Sequence, residues 1–358
     1  MPLFPDAESF KRLADGSLHG PGASLLRLSF ALASAPYSLA MTARNAAYDA
    51  RWLAISSVTV PIVSVGNLTL GGTGKTPLVA WLARAFCRQG LQTAIVSRGY
   101  GARRGQASDE AAELGILLPD VPHIADPDRV AGARTALAGG AEVIVLDDGF
   151  QHRRLARDID IVLVDATDPF GCGHIFPRGL LREPLAGLAR ADAVMLTRAG
   201  LVEPARRREI RDLLNKACRG KLPPIWIEAS HRPTTMRTAS GGYGALENIR
   251  GQRVAAFAGI GNPAAFLAML ETLGAHIVIF RPFPDHHIYT TGDMASLASL
   301  AGAARADIVV TTLKDLVKVQ TDSLGDIPLA AIEISLDILS GASALDSLLA
   351  TIPRQEKR

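Results

Sequence analysis

The stretch Val65-Gly66-Asn67-Leu68-Thr69-Leu70-Gly71-Gly72-Thr73-Gly74-Lys75-Thr76-Pro77 (VGNLTLGGTGKTP) decides the reading of this chain. It follows a short β-branched run, Val58 to Val65, and precedes a helical pattern through Leu78, Leu82 and Phe86. A glycine-rich turn between strand and helix lets backbone amides approach phosphate oxygens, and the helix presents its positive end. Gly71, Gly72, Thr73, Gly74, Lys75 and Thr76 are therefore the candidate nucleotide-binding residues. Lys75 is expected at the β- and γ-phosphates and the Thr76 hydroxyl at Mg²⁺. Pro77 suits a first helical turn, where its missing N–H costs nothing. Two positions depart from better-known loops. Thr69 stands where G-x-x-x-x-G-K-[ST] requires glycine, and Leu70 where partitioning ATPases carry a second lysine. The plainer alternative is a glycine turn ahead of a core helix.

Outward from the loop, strand and helix patterns alternate. Thr93 to Ser97, Glu142 to Leu146, Ile159 to Val164 and Ala193 to Thr197 read as buried strands separated by helix-length segments. That alternation predicts an α/β fold, a P-loop NTPase-type parallel sheet flanked by helices. Residues 219–250, with Pro223, Pro224 and Pro233, interrupt it. Strand patterns return at Val254 to Ala258, His276 to Phe280 and Asp307 to Thr312, predicting a second, smaller α/β domain. The expected division is an N-terminal helical segment over 1–55, a core over 56–225 and a second domain over 226–358, whose final helix could pack back on the core. At 358 residues two domains are the ordinary expectation. A net charge of +3 gives no reason to expect nucleic acid as a partner. Three cysteines without metal spacing suit a reducing compartment.

The remaining candidates cluster at strand ends. In EVIVLDDGFQH, four apolar residues end in Asp147 and Asp148, where a doubly wound sheet binds its ligands. One carboxylate suffices for Mg²⁺, so the other is free to orient a second group. SRGYG (Ser97 to Gly101) closes the next strand, and SDE (Ser108 to Glu110) follows a short basic loop. Asp109 and Glu110 are either a helix-start acidic pair or a base for an acceptor hydroxyl. FAGIGNP (Phe257 to Pro263) permits close backbone approach, and FPDHH (Phe283 to His287) offers an Asp–His pair near working pH.

Residues 23–42, ASLLRLSFALASAPYSLAMT, are apolar but interrupted by Arg27 and Pro36, too short a run for the ~20 residues of a spanning helix. They read either as a packed amphipathic helix with Leu25, Leu28 and Leu32 on one face, or as a helix lying in a membrane surface with Lys11, Arg12 and Arg27 near headgroups. A cleaved signal peptide conflicts with the internal arginine and the nucleotide-type loop downstream.

Taken in order, VGNLTLGGTGKTP, SRGYG, SDE, LDDGFQHRRLARD (Leu146 to Asp158), REP (Arg182 to Pro184), FAGIGNP and DHH resemble the tetraacyldisaccharide 4′-kinase family, across residues 65 to about 318. The resemblance implies ATP-dependent, Mg²⁺-requiring phosphorylation of the 4′-hydroxyl of a tetraacylated glucosamine disaccharide 1-phosphate in lipid A biosynthesis. It implies a peripheral enzyme at the cytoplasmic face of the bacterial inner membrane, with an N-terminal membrane-contacting helix; a monomer is expected. It assigns Asp109 as the base for the sugar hydroxyl, with Glu110 beside it. Asp147 and Asp148 become the acidic pair at metal and nucleotide, with Asp148 grouped with Lys75 among the catalytic residues. Glu183 becomes a carboxylate near the metal, His152 and Arg182 contact substrate or support those that do, and His286 pairs with Asp109 from the second domain. Three positions depart from the family: the short Ala102 to Ala107 spacer, Arg178 in PRGLLREP, and Leu313 in TLKDLVK. The rival reading is a P-loop nucleotide switch or metallochaperone, but Thr312-Leu313-Lys314-Asp315 places its lysine one residue late for guanine recognition.

Overall fold

The computed structural model describes residues 7–99 and 108–352. Tyr100 to Ala107, which include the end of SRGYG with Arg103 and Arg104, lie outside the described residues, as does the terminal RQEKR. The chain forms two compact units, each described by itself.

Unit 1 takes described residues 7–99, 118–231 and 336–352. Its elements are α1 (Ala7–Ala14), α2 (Pro21–Asp49), β1 (Ile62–Asn67), α3 (Lys75–Arg88), β2 (Thr93–Ser97), β3 (His123–Ala125), α5 (Arg129–Ala138), β4 (Val143–Asp147), β5 (Ile159–Asp165), β6 (Ala193–Thr197), α6 (Pro204–Ala217), the start of β7 (Ile225–Arg237) and α10 (Ala342–Leu349). The strands run parallel in the order β3-β2-β4-β1-β5-β6-β7. β1, the strand feeding the glycine loop, is central, and both its neighbours are parallel. Every residue of β1, β2, β4 and β6 is buried, which is why their sequences are apolar on both faces rather than alternating. Ile144 and Leu146 of β4 pack with Val130, Ala133 and Ala136 of α5. Val162 and Val164 of β5 and Val194 and Leu196 of β6 pack with Ile210 and Leu214 of α6.

Helix α2 belongs to unit 1 rather than forming a body of its own, because its polar face is fastened there. Tyr37 Oη donates to the Arg182 carbonyl at 3.0 Å, Ser34 Oγ to the Ile175 carbonyl at 2.9 Å, and Asn45 Nδ2 to Glu183 at 2.8 Å. Leu25, Leu28, Leu32 and Leu39, spaced by three, four and seven residues on the opposite face, are exposed. Of the two readings of this segment, a helix packed through its leucines is therefore not what forms. No described helix is long and apolar enough to cross a membrane.

Unit 2 takes described residues 108–117 and 232–335. It contains α4 (Asp109–Leu117), the end of β7, β8 (Tyr243–Gly244), β9 (Arg253–Ala258), α7 (Pro263–Thr272), β10 (His276–Pro282), α8 (Thr291–Ala303), β11 (Ile308–Thr312), α9 (Leu313–Val319), β12 (Ser323–Leu324) and most of β13 (Ile327–Ser340). β10, β9, β11 and β13 form a parallel run, while β12 and β8 pair antiparallel with β13 and β7.

Residues from Leu336, with the final helix α10, belong to unit 1. The boundaries differ from the expected ones at two places: the N-terminal helices join unit 1, and α4 leaves it for unit 2. The reason for the last is apolar: Ile116 and Leu117 pack with Leu313, Leu316 and Val319 in the unit 2 core. Asp109 and His286, expected on different domains, consequently share a unit.

Candidate active site

Unit 1 carries the phosphate-loop constellation. Gly71 and Gly74 hold positive φ, 102° and 88°, a region open to glycine at no steric cost. Gly74 is the left-handed residue that starts α3 with Lys75. The flank before the loop is extended, not turned. Leu70 N–H donates to the Leu180 carbonyl at 2.7 Å, Arg182 N–H donates to the Leu68 carbonyl at 2.7 Å, and Thr69 bridges Leu181 antiparallel. Thr69 thus sits in a short ladder, where a β-branched residue is suited and a glycine would be poor. Gly66 is required for a different reason: a Cβ there would lie 2.5 Å from Phe150 Cβ and 2.8 Å from its backbone nitrogen.

Lys75 Nζ lies 3.3 Å from Asn67 Oδ1 and 3.4 Å from Asp148 Oδ1. Arg182 Nη1 donates to both Asp148 oxygens at 2.9 and 2.8 Å. Burial alone would raise the Asp148 pKa, but Lys75 and Arg182 outweigh it and bring it down to about 2. Asp147, the last residue of β4, is 6% exposed, and Asp148 follows with φ 53°. Glu183 is fully buried. Its two oxygens accept from Asn45, Gln151 and twice from Arg190, at 2.8 to 3.2 Å. Gln151 also donates to the Asn67 carbonyl at 2.9 Å, tying the LDDGFQH turn to the flank of the loop. His152 is turned neutral, its pKa lowered to about 4 by burial and by Arg129 and Arg157.

Unit 2 carries a second constellation. Ser108 Oγ accepts from Ala111 N–H at 3.2 Å, opening α4, so Asp109 and Glu110 stand in its first turn where the helix dipole favours anions. His286 Nδ1 is 3.1 Å from Asp109 Oδ2, and Nε2 is 3.5 Å from Glu110 Oε1. The Asp109 bond raises the His286 pKa above its ordinary value; burial opposes it less strongly. Burial pushes the Asp109 carboxyl up, but the His286 bond and the charges of Lys318 and Lys314 hold it below its usual value.

The segment TLKDLVK supplies charged residues that were not among the candidates expected from sequence. Lys314 Nζ reaches Asp285 at 3.0 Å and Glu110 at 3.4 Å. Lys318 Nζ reaches Asp315 at 2.8 Å and Asp109 at 3.6 Å. Asp315 is 0% exposed and accepts from Gly259 N–H at 2.9 Å and Thr312 Oγ1 at 2.7 Å. Gly259 of FAGIGNP is therefore small because a Cβ would meet Asp315 Oδ1 and Tyr289 Oη at 3.0 Å, with no ligand needed to explain it. The i, i+4 spacing of Lys314 and Lys318 on one helix was the available signal.

The structure thus brings together Lys75, Asp148 and Arg182, and separately Asp109, Glu110 and His286. A glycine loop on a central parallel strand, followed by a helix that begins with lysine and threonine and flanked by an acidic strand end, defines a P-loop nucleotide-binding enzyme. Residues 26–353 match the family model LpxK, Tetraacyldisaccharide-1-P 4′-kinase. The chain belongs to that family, the kinases that phosphorylate a lipid A disaccharide. It is 41% identical over 352 residues to the tetraacyldisaccharide 4′-kinase of Anaeromyxobacter dehalogenans strain 2CP-C, covering 92% of each chain. It is 40% identical over 304 residues to that of Rhodospirillum centenum, covering 82% of this chain and 83% of that one. Among solved structures, LpxK from Aquifex aeolicus in complex with ATP matches with a TM-score of 0.70 and 29% identity, covering 91% of this chain and 98% of that chain.

Proposed function

We propose that the phosphate loop of unit 1 binds ATP and that the Asp109–His286 pair of unit 2 supplies the base for the 4′-hydroxyl of the acylated disaccharide 1-phosphate. The observation that carries this is the Asp109–His286 contact, with Asp109 kept ionised among Lys314, Lys318 and His286. An ionised carboxylate can accept the hydroxyl proton, and the imidazole holds that carboxylate in orientation. Lys75 offsets charge on the transferred phosphoryl, a reaction governed by positioning and electrostatics. Asp148, an ionised carboxylate whose charge is balanced by Lys75 and Arg182, aims the lysine.

Mg²⁺ fits the hard oxygen donors that Asp147 at the end of β4 and Thr76 in the first turn of α3 supply beside the loop. When bound it neutralises phosphate charge. Glu183, whose oxygens are engaged by Asn45, Gln151 and Arg190, we assign to bracing α2 and the LDDGFQH turn rather than to the metal.

The exposed leucine face of α2 fits a peripheral position on the cytoplasmic face of the inner membrane. An acceptor with acyl chains in lipid is reached from such a surface. The test is incubation with ATP labelled at the γ-phosphate and the detergent-dispersed disaccharide 1-phosphate. Label is expected on the lipid; ATP hydrolysis indifferent to the disaccharide, with no lipid label, would rule the reading out.

A further inference from the structure

The end of β6 holds two carbonyls of the glycine loop. Thr197 Oγ1 donates to the Thr73 carbonyl at 2.8 Å, and Arg198 Nη2 donates to the Gly72 carbonyl at 2.7 Å. Arg198 is itself aimed by Asp165 at the end of β5, through Nη1. Asp165 is held in turn by Thr167, whose N–H and hydroxyl both donate to Oδ1. Arg198 adopts φ 52° and ψ 26°, in the left-handed region.

A trans peptide is planar, so its C=O and N–H point in opposite directions. Fixing the Gly72 carbonyl toward Arg198 turns the Thr73 N–H away from it, and fixing the Thr73 carbonyl toward Thr197 does the same for the Gly74 N–H. These are two successive donors of a loop whose work is to present amides to phosphate. A third wall is His231. A Cβ on Gly74 would lie 2.6 Å from His231 Nε2, and burial together with the Arg198 charge lowers the His231 pKa to about 4, so it closes the space uncharged.

We propose that Thr197 and Arg198 are positioning residues for ATP, holding the Thr73 and Gly74 amides in the phosphate-binding orientation before nucleotide arrives. The inference rests on the reading of residues 71–76 as the ATP loop, and the experiment separates the two. ATP affinity is measured by calorimetry, together with the KM for the lipid acceptor and the melting temperature of the nucleotide-free protein, for Thr197→Val, Arg198→Ala, Arg198→Lys and Lys75→Ala. Thr197→Val and Arg198→Ala are each expected to weaken ATP binding roughly five- to tenfold, the worth of one hydrogen bond. Acceptor KM is expected to hold, the melting temperature to fall by no more than about 2–4 °C, and Arg198→Lys to recover part of the loss. Thr197→Val is nearly isosteric, so it keeps the test available if Arg198→Ala does not fold. Weakening by Lys75→Ala alone would overturn the proposal and leave the loop assignment standing. No effect from Lys75→Ala would overturn both. Loss of ATP and acceptor affinity together with a melting temperature lowered beyond that range would make the contacts merely structural, and would also overturn it.

Discussion

Asp109 and His286 form a pair whose two members perturb each other in opposite senses. His286 is raised above 6.5, so the stability it contributes is complete below that pH and is lost as pH rises through the raised value. Asp109 is lowered below 3.8, so its contribution is present above that pH and lost as pH falls through the lowered one. The pair is intact between those limits. A ring-proton NMR titration should place the His286 midpoint above 6.5 in the parent, and Asp109→Asn should bring it down; an unmoved midpoint would refute the coupling. The same substitution should lower kcat on the order of 10²- to 10⁴-fold with ATP affinity retained, as for loss of a positioned base. Sequence reading reached these two residues through motif resemblance. It could not reach Arg198, Asp165 or His231, because nothing in VDATD, LTRAG or EASHRP is glycine-rich or carries a motif, and their role depends on carbonyls contributed by another strand's loop.

Among elements, α4 and α2 make the sharpest demands. Burial pushes the Glu113 carboxyl on α4 up to about 7; Lys314 opposes the shift, while Glu110, Asp315 and Asp109 add to it. A folded value above the unfolded 4.5 means stability is full below pH 4.5 and is eroded as pH rises through about 7. Glu113→Gln should therefore match the parent in urea unfolding at pH 4 and exceed it at pH 8. On α2, Leu28→Glu with Leu32→Glu should reduce sedimentation with anionic vesicles without changing the far-ultraviolet circular dichroism, since both side chains are exposed. The strands of unit 1 were legible because runs buried on both faces are predominantly apolar. β3 was not, being three residues long, and the length of β7 was hidden by Pro233. For α2, sequence pattern located the leucine stripe but not its direction, which is decided by polar anchors at Ser34, Tyr37 and Asn45.

At the scale of the molecule, each unit has a hydrophobic core of its own. The glycine loop lies wholly in one of them, so nucleotide should stabilise that unit by mass action. Scanning calorimetry with rising ATP should move one component of the unfolding transition upward and leave the other in place; equal movement of both would mean they unfold as one. The alternation of strand and helix was enough to read two α/β bodies, while the packing of Ile116 and Leu117 that sets the true border of α4 is invisible to local pattern.

That border has a practical consequence for dissecting the protein. Residues 108–117 are an island of unit 2 lying, in chain order, inside unit 1. No single cut in the coding sequence can release unit 2 whole. A fragment beginning near residue 226 would leave behind α4, uncover the apolar surface that Ile116 and Leu117 occupy, and lack Asp109. Such a half should be insoluble or loosely packed when expressed alone, and should recover its folded character when a peptide spanning 108–117 is supplied in trans.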